Sequence, residues 1–182
     1  LPRARRITLQ PFGTGYGDVN RAAPAERFHR NLEDLGFEWG YVNIFRPNTF
    51  RVNGEILTPG WIKAHGAEIA GGADPAIDFS SIDPFIDSAL RHGLTRFRVT
   101  DSLTKSIRGL TRHSGLDAPV ADAVHQWYQR QVAGYFRDKG VREFFVSQGD
   151  ELSVEELRER YLPWSEDLGR SGWRTSSSFT TS

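Results

Sequence analysis

Cysteine is absent from the 182 residues, and so is methionine. Without a thiol the chain has no disulfide framework, no thiolate nucleophile and no zinc ribbon. The redox compartment stays open. The absence of methionine extends to position 1, which is Leu1, so the chain reads as a processed or partial product. An excess of either charge is missing too, with 23 Lys and Arg against 23 Asp and Glu. That balance argues against a protein that coats nucleic acid, which needs a basic field. The one basic cluster, Arg3, Arg5 and Arg6, reads as a solvated lead-in to a strand. No apolar run approaches the ~18–20 residues of a membrane span, and no secretory signal pattern is present. A signal removed earlier would leave a secreted origin open, so no compartment is assigned. What the chain does contain is aromatic weight: twelve Phe, five Trp and five Tyr within 38% hydrophobic residues. That is globular composition, and the length suits one domain over residues 1–182.

One phrase recurs four times: an amphipathic segment, a glycine, then a β-rich run. It reads LEDLGFEWGYVNIF around Gly36, SALRHGLTRFRVT around Gly93, YFRDKGVREFFVS around Gly140 and EDLGRSGWRTSSSF around Gly172. A glycine after the last helical turn adopts the left-handed conformation that stops a helix, and β-branched and aromatic residues then favour a strand. Start signals match. Ser80 and Asp83 bracket a cap before Ile82, Phe85, Ile86, Ala89 and Leu90 on one helical face. Asp117 and Pro119 open the strongest helix, which carries Val120, Val124, Trp127, Tyr128, Val132, Tyr135 and Phe136 at helical spacing. Ser153 and Glu156 form a capping-box pattern, with Pro163 predicting a kink or break beyond it. The first helix starts near Pro24 and buries Phe28, Leu32 and Leu35.

With a strand over residues 6–10, the order is one strand followed by four helix–strand units, which implies a parallel sheet with right-handed crossovers. Long loops are expected at residues 46–79 and 101–118, at strand C-terminal ends where parallel α/β proteins place their sites. The expected fold is a (β/α)₈ TIM-barrel-like domain of which the first five β/α units are present. A missing segment or another chain would complete it. An open five-stranded doubly wound domain is the competing architecture.

Most standard motifs fail. Gly13, Gly15 and Gly17 follow the first strand, but a dinucleotide fingerprint needs glycine where Asp18 stands. They remain a candidate loop for a small anionic ligand under the open α/β alternative. His29, His92 and His125 lie on predicted helices at ordinary surface or edge positions, whereas His65 and His113 lie in the predicted long loops and could line a site. No metal site is assigned, and a set made of Asp101, Asp150 and Glu151 lacks a neighbouring histidine.

The informative stretch is VREFFVSQGDELSVEEL. A half-apolar strand over residues 141–147 runs into Asp150 and Glu151, placing adjacent carboxylates at the C-terminal rim of a β/α unit. Glycoside hydrolysis needs a protonated acid for the leaving oxygen and a second group for the developing positive charge. Paired acids push one pKa upward, as a general acid requires. The structural alternative is a helix cap at Asp150 and a first-turn acid at Glu151.

The segment YFRDKGVREFFVSQGDEL, followed by a helix, a glycine and a short strand, resembles glycoside hydrolase family 123 and its relatives. NLEDLGFEWGYVNIF and IDPFIDSALRHGLTRFRV are similar to earlier barrel units of that family. The resemblance implies substrate-assisted, retaining hydrolysis of β-linked N-acetylhexosamine. Asp150 would polarise the 2-acetamido group, and Glu151 would act as general acid/base. Leu152 departs from the Pro usual after the pair. This chemistry needs no cofactor; the partner implied is a carbohydrate substrate. Trp61 is a candidate stacking platform for a sugar, Asn43 and Arg46 are candidate hydroxyl ligands, and Asp101 is a further one at a strand end. Trp39, Trp127, Trp164 and Trp173 sit where packing aromatics belong. A non-catalytic carbohydrate-binding or assembly module is the alternative from another functional class.

Overall fold

In the computed structural model, residues 22–42, 47–100, 102–147, 155, 158–159, 162–170 and 173–176 are described. The helix–glycine–strand phrase is realised as one recurring helix stop. At Gly36, Gly93 and Gly140 the backbone takes φ of 77°, 74° and 78°. Each time the glycine N–H bonds the carbonyl three residues back, and the next N–H bonds the one five back. Examples are Gly36 to Glu33 at 2.8 Å and Phe37 to Leu32 at 2.9 Å. This double closure satisfies carbonyls that the helix leaves orphaned. Trp173 makes the same five-back bond to Leu168 at 3.0 Å; Gly172 lies outside the described residues.

The elements these stops separate are α1 (Ala22–Asp34), β1 (Trp39–Val42), β2 (Arg51–Val52), β3 (Glu55–Ile56), α2 (Pro59–Ala70), β4 (Ile77–Asp78), α3 (Asp83–Arg91), β5 (Arg96–Thr100), α4 (Ser102–Ser114), α5 (Ala118–Asp138), β6 (Glu143–Ser147), α6 (Leu162–Arg170) and β7 (Arg174–Ser176). The predicted strand over residues 6–10, the capping box at Ser153 and Glu156, and the Gly13, Gly15 and Gly17 loop lie outside the described residues. Pro163 stands in the first turn of α6, where its missing N–H forfeits no helical bond.

Both predicted long loops are corrected. Residues 46–79 hold a small antiparallel sheet of order β3-β2-β4 and the helix α2. Two local signals build them. Asn53 and Gly54 take positive φ, 51° and 85°, and turn β2 into β3. Thr58 caps α2 by accepting the Trp61 N–H at 3.1 Å, with Pro59 at the helix start. Residues 102–114 form α4, whose Leu103 and Ile107 are fully buried four residues apart. Leu35, expected in the core, is 67% exposed because α1 ends at Asp34 and the chain turns away at Gly36.

The main sheet is mixed into an α/β whole as four parallel strands in the order β1-β5-β6-β7. A closed barrel is not formed by the described residues. Their parallel strands do follow chain order without a reversal. Crossovers of the usual right-handed sense put the intervening helices of such a sheet on one face. Phe97 and Phe144 pair in register on that face, and Phe136 of α5 packs over both, with ring centroids 5.6 and 5.3 Å away. Trp173 closes the cluster edge-on to Phe144 at 4.7 Å. Trp39, Trp127 and Trp173 are buried, as their sequence positions suggest.

Gly40 of β1 pairs with Phe97 of β5. A Cβ at Gly40 would lie 2.6 Å from the Phe97 ring, which is fully buried and has no room to withdraw. Gly40→Ala is therefore expected to destabilise the fold by about 1–3 kcal/mol through overpacking. Urea unfolding measures it, and an unchanged midpoint would mean the ring is not held there.

Candidate functional site

Strand register aligns the C-terminal ends of the parallel strands. Thr100 pairs with Ser147, and Ser147 with Ser176; one residue below, Val42 pairs with Val99, Val99 with Val146 and Val146 with Thr175. The C-terminal ends of neighbouring strands, ~4.8 Å apart, thus share one edge of the sheet. Asn43 follows Val42 in the chain, Asp101 follows Thr100, and Asp150 comes three residues after Ser147. Asn43, Arg46, Asp101, Asp150 and Glu151 themselves lie outside the described residues.

Trp61 is not brought to this rim. It lies on α2, 6% exposed, with its ring stacked on Trp127 at 5.8 Å and against His65 at 4.6 Å. The helix started by Thr58 and Pro59 turns the indole into the α2–α5 interface. Its faces are occupied by protein, which leaves no platform for a sugar.

The sheet face carrying Arg96 and Arg98 holds charged and aromatic groups that are not among the sequence-predicted site residues. Trp39, Arg96 and Glu143 form one register row, and Arg98 pairs with Phe145 in the next row toward the rim. Arg96 reaches Glu143 at 3.5 Å and Glu38 at 3.4 Å, its guanidinium 5.8 Å from the centre of the Trp39 ring. Phe145 meets Trp39 edge-on at 5.2 Å. The strict alternation Arg96-Phe97-Arg98-Val99 was the available signal: apolar residues face the helices and cations face away.

The histidines require a second correction. His29 and His125 are buried, and His92 is largely so, because each meets a polar partner from another helix. Thr111 shares a 2.7 Å bond with His125. Between α1 and α3, Ser88 donates to Glu26 at 2.9 Å, so His29 Nδ1 donates to Ser88 at 2.9 Å. His29 Nε2 is left buried without a partner. His92 spans Glu26 at 2.7 Å and Glu33 at 2.6 Å, and Arg91 adds a 2.8 Å bond to Glu26. His65 and His113 lie on α2 and α4, not in loops.

This clamp gives stability a two-sided pH dependence. Bonds from Glu33 and Glu26 raise the pKa of His92 above its ordinary 6.5, so its contribution is complete below 6.5 and is lost as pH rises through the raised value. Burial lowers His29 to about 4, so the unfolded chain takes up that proton first and stability falls as pH drops from 6.5 toward 4. Bonds from His92, Ser88 and Arg91 hold Glu26 at about 2, and its contribution is lost below the ordinary 4.5. Urea midpoints across pH should therefore peak near the ordinary histidine pKa and fall on both sides. His92→Gln should flatten the alkaline limb, whereas an unchanged limb would remove His92 as its origin.

Among the described residues no group of three His, Cys, Asp or Glu side chains is placed to hold a metal ion, and no helix is long and apolar enough to cross a membrane. Comparison of the chain with protein-family models, with curated proteins and with solved structures finds no match.

Proposed function

We propose that this chain is part of a (β/α)₈-barrel glycoside hydrolase, akin to family 123, that cleaves β-linked N-acetylhexosamine by a substrate-assisted retaining mechanism. The observation that carries the reading is the order β1-β5-β6-β7, all parallel and sequential. Consecutive barrel units give that order, whereas a doubly wound sheet reverses at a switch point. The shared C-terminal edge is the side where barrels place catalysis. The segment that follows β6 there carries Asp150 and Glu151.

In this reading Asp150 accepts a hydrogen bond from the acetamido N–H and directs the carbonyl oxygen at the anomeric carbon. Glu151 protonates the leaving oxygen, and the bond to the aglycone breaks as the oxazolinium ring closes. Glu151, now a carboxylate, deprotonates the water that opens the ring with net retention. Asn43, Arg46 and Asp101 would hold sugar hydroxyls. Another segment or chain would supply the remaining strands.

Turnover of aryl β-N-acetylgalactosaminide and glucosaminide tests the reading, together with inhibition by a thiazoline analogue of the cyclic intermediate. Sugar binding without turnover would favour the carbohydrate-binding module. Neither binding nor turnover would sink both.

A further inference from the structure

Two cavities of similar size, about 620 and 570 Å³, open on α5, and their linings have opposite character. The second is lined by Asp74, Asp78, Asp83 and Asp138 beside Arg130 and Lys139. The first lies between α4 and α5, and its described lining carries Lys105, Arg108, Arg112 and His125 without a carboxylate. The three cations recur at spacings of three and four on one face of α4, a helix that contains no acid from Ser102 to Ser114. In a chain with zero formal net charge, three cations thus gather on one helix face, and Arg112 is the one whose fork is open to a ligand.

The geometry points to a binding site for a small oxyanion-bearing ligand, a phosphate or sulfate ester, in the cavity between α4 and α5. The volume falls in the range of small-molecule sites, ~300–1,000 Å³. Arg112 is exposed and makes no hydrogen bond or ion pair to another described residue. Its fork can engage two oxygens of one oxyanion. At the floor, the buried Thr111 hydroxyl lies 3.2 Å from the carbonyls of Ile107 and Arg108 and 2.7 Å from His125 Nε2. Donating to a carbonyl, the hydroxyl accepts from His125, which fixes the ring at the cavity wall. Gly109 opens the approach, since a Cβ there would meet nothing within 4 Å. The Asp122 carboxylate is 3.6 Å from His125 Nδ1 and 62% exposed. It lies on the solvent side of α5.

The site is independent of the glycosidase reading, and calorimetric titration of the intact chain at low ionic strength tests it, with inorganic phosphate, pyrophosphate and sulfate as probes. One saturable site is expected, and preference among the probes identifies the ester. Arg112→Glu should weaken binding by about tenfold or more, the loss of one charge-assisted contact. Gly109→Leu, which fills the opening while suiting a helix, should weaken it comparably. Arg130→Gln, in the acidic cavity, should leave it unchanged. No saturable heat with any probe, or equal weakening by Arg112→Glu and Arg130→Gln, would overturn the assignment.

Discussion

Glu151→Gln is expected to lower kcat on an aryl β-N-acetylhexosaminide by about 10²–10⁴-fold, the usual contribution of a positioned general acid/base. The amide keeps the side chain's size and loses only its proton chemistry. The loss should be greatest for aglycones of high pKa, whose oxygen must be protonated to leave. It should shrink for a nitrophenolate, which departs unaided. Circular dichroism and the urea midpoint should not move, because the amide matches the carboxylate in size and shape. A uniform loss across leaving groups, or equal rates for the two proteins, would remove Glu151 from acid catalysis. Asp150→Asn should also be slow, but without the leaving-group dependence, because its proposed task is to orient the acetamido group.

Phe136→Ala carries the largest expected effect on stability, about 3–5 kcal/mol. The ring is fully buried and touches Phe97, Phe144 and Trp173, so its removal opens a hole between α5 and two strands of the parallel sheet. The hole is slow to collapse because Phe97 and Phe144 are fixed by strand register. Leu35→Ala, at 67% exposure, should change stability by no more than about 0.5 kcal/mol. If the two substitutions shifted the urea midpoint equally, α5 would not be packed on the sheet as described.

Much of the fold was legible because its signals are local. Glycine after a helical turn needs no distant partner to act, so Gly36, Gly93 and Gly140 marked their helix–strand junctions correctly. The α5 core face was readable from Val124, Trp127, Tyr128, Val132 and Phe136 at helical spacing. The two helices read as loops had local signals as well, in Thr58-Pro59 and in Leu103 and Ile107. They were diluted by the polar and glycine residues Gly60, Gly66, Thr104, Ser106 and Gly109. Gly66 is there for packing, since a Cβ would come within 3.0 Å of Leu116.

The rest depended on partners far along the chain. Burial of His29 and His92 rests on Ser88 and Glu26, 59 and 66 residues away respectively, and no window of sequence contains such a pair. Trp61 looked like a sugar platform only while residues 46–79 were read as a loop; once α2 forms, Trp127 covers it. For the candidate site, helix–strand alternation foretold a parallel sheet whose strand ends lie together, while the site residues themselves lie outside the described residues. The roles of Asp150 and Glu151 came from a resemblance and not from spacing. The basic cavity shows the opposite case: Lys105, Arg108 and Arg112 were plain in the sequence but carried no meaning until α4 aligned them.

The most direct test is a paired rate measurement on the intact chain, using an aryl β-N-acetylgalactosaminide and the matching aryl β-galactoside with a 2-hydroxyl group. The proposed mechanism predicts turnover of the acetamido substrate alone, blocked by a thiazoline analogue, because the 2-acetamido oxygen is the nucleophile. Equal turnover of both substrates, or of neither, would contradict it.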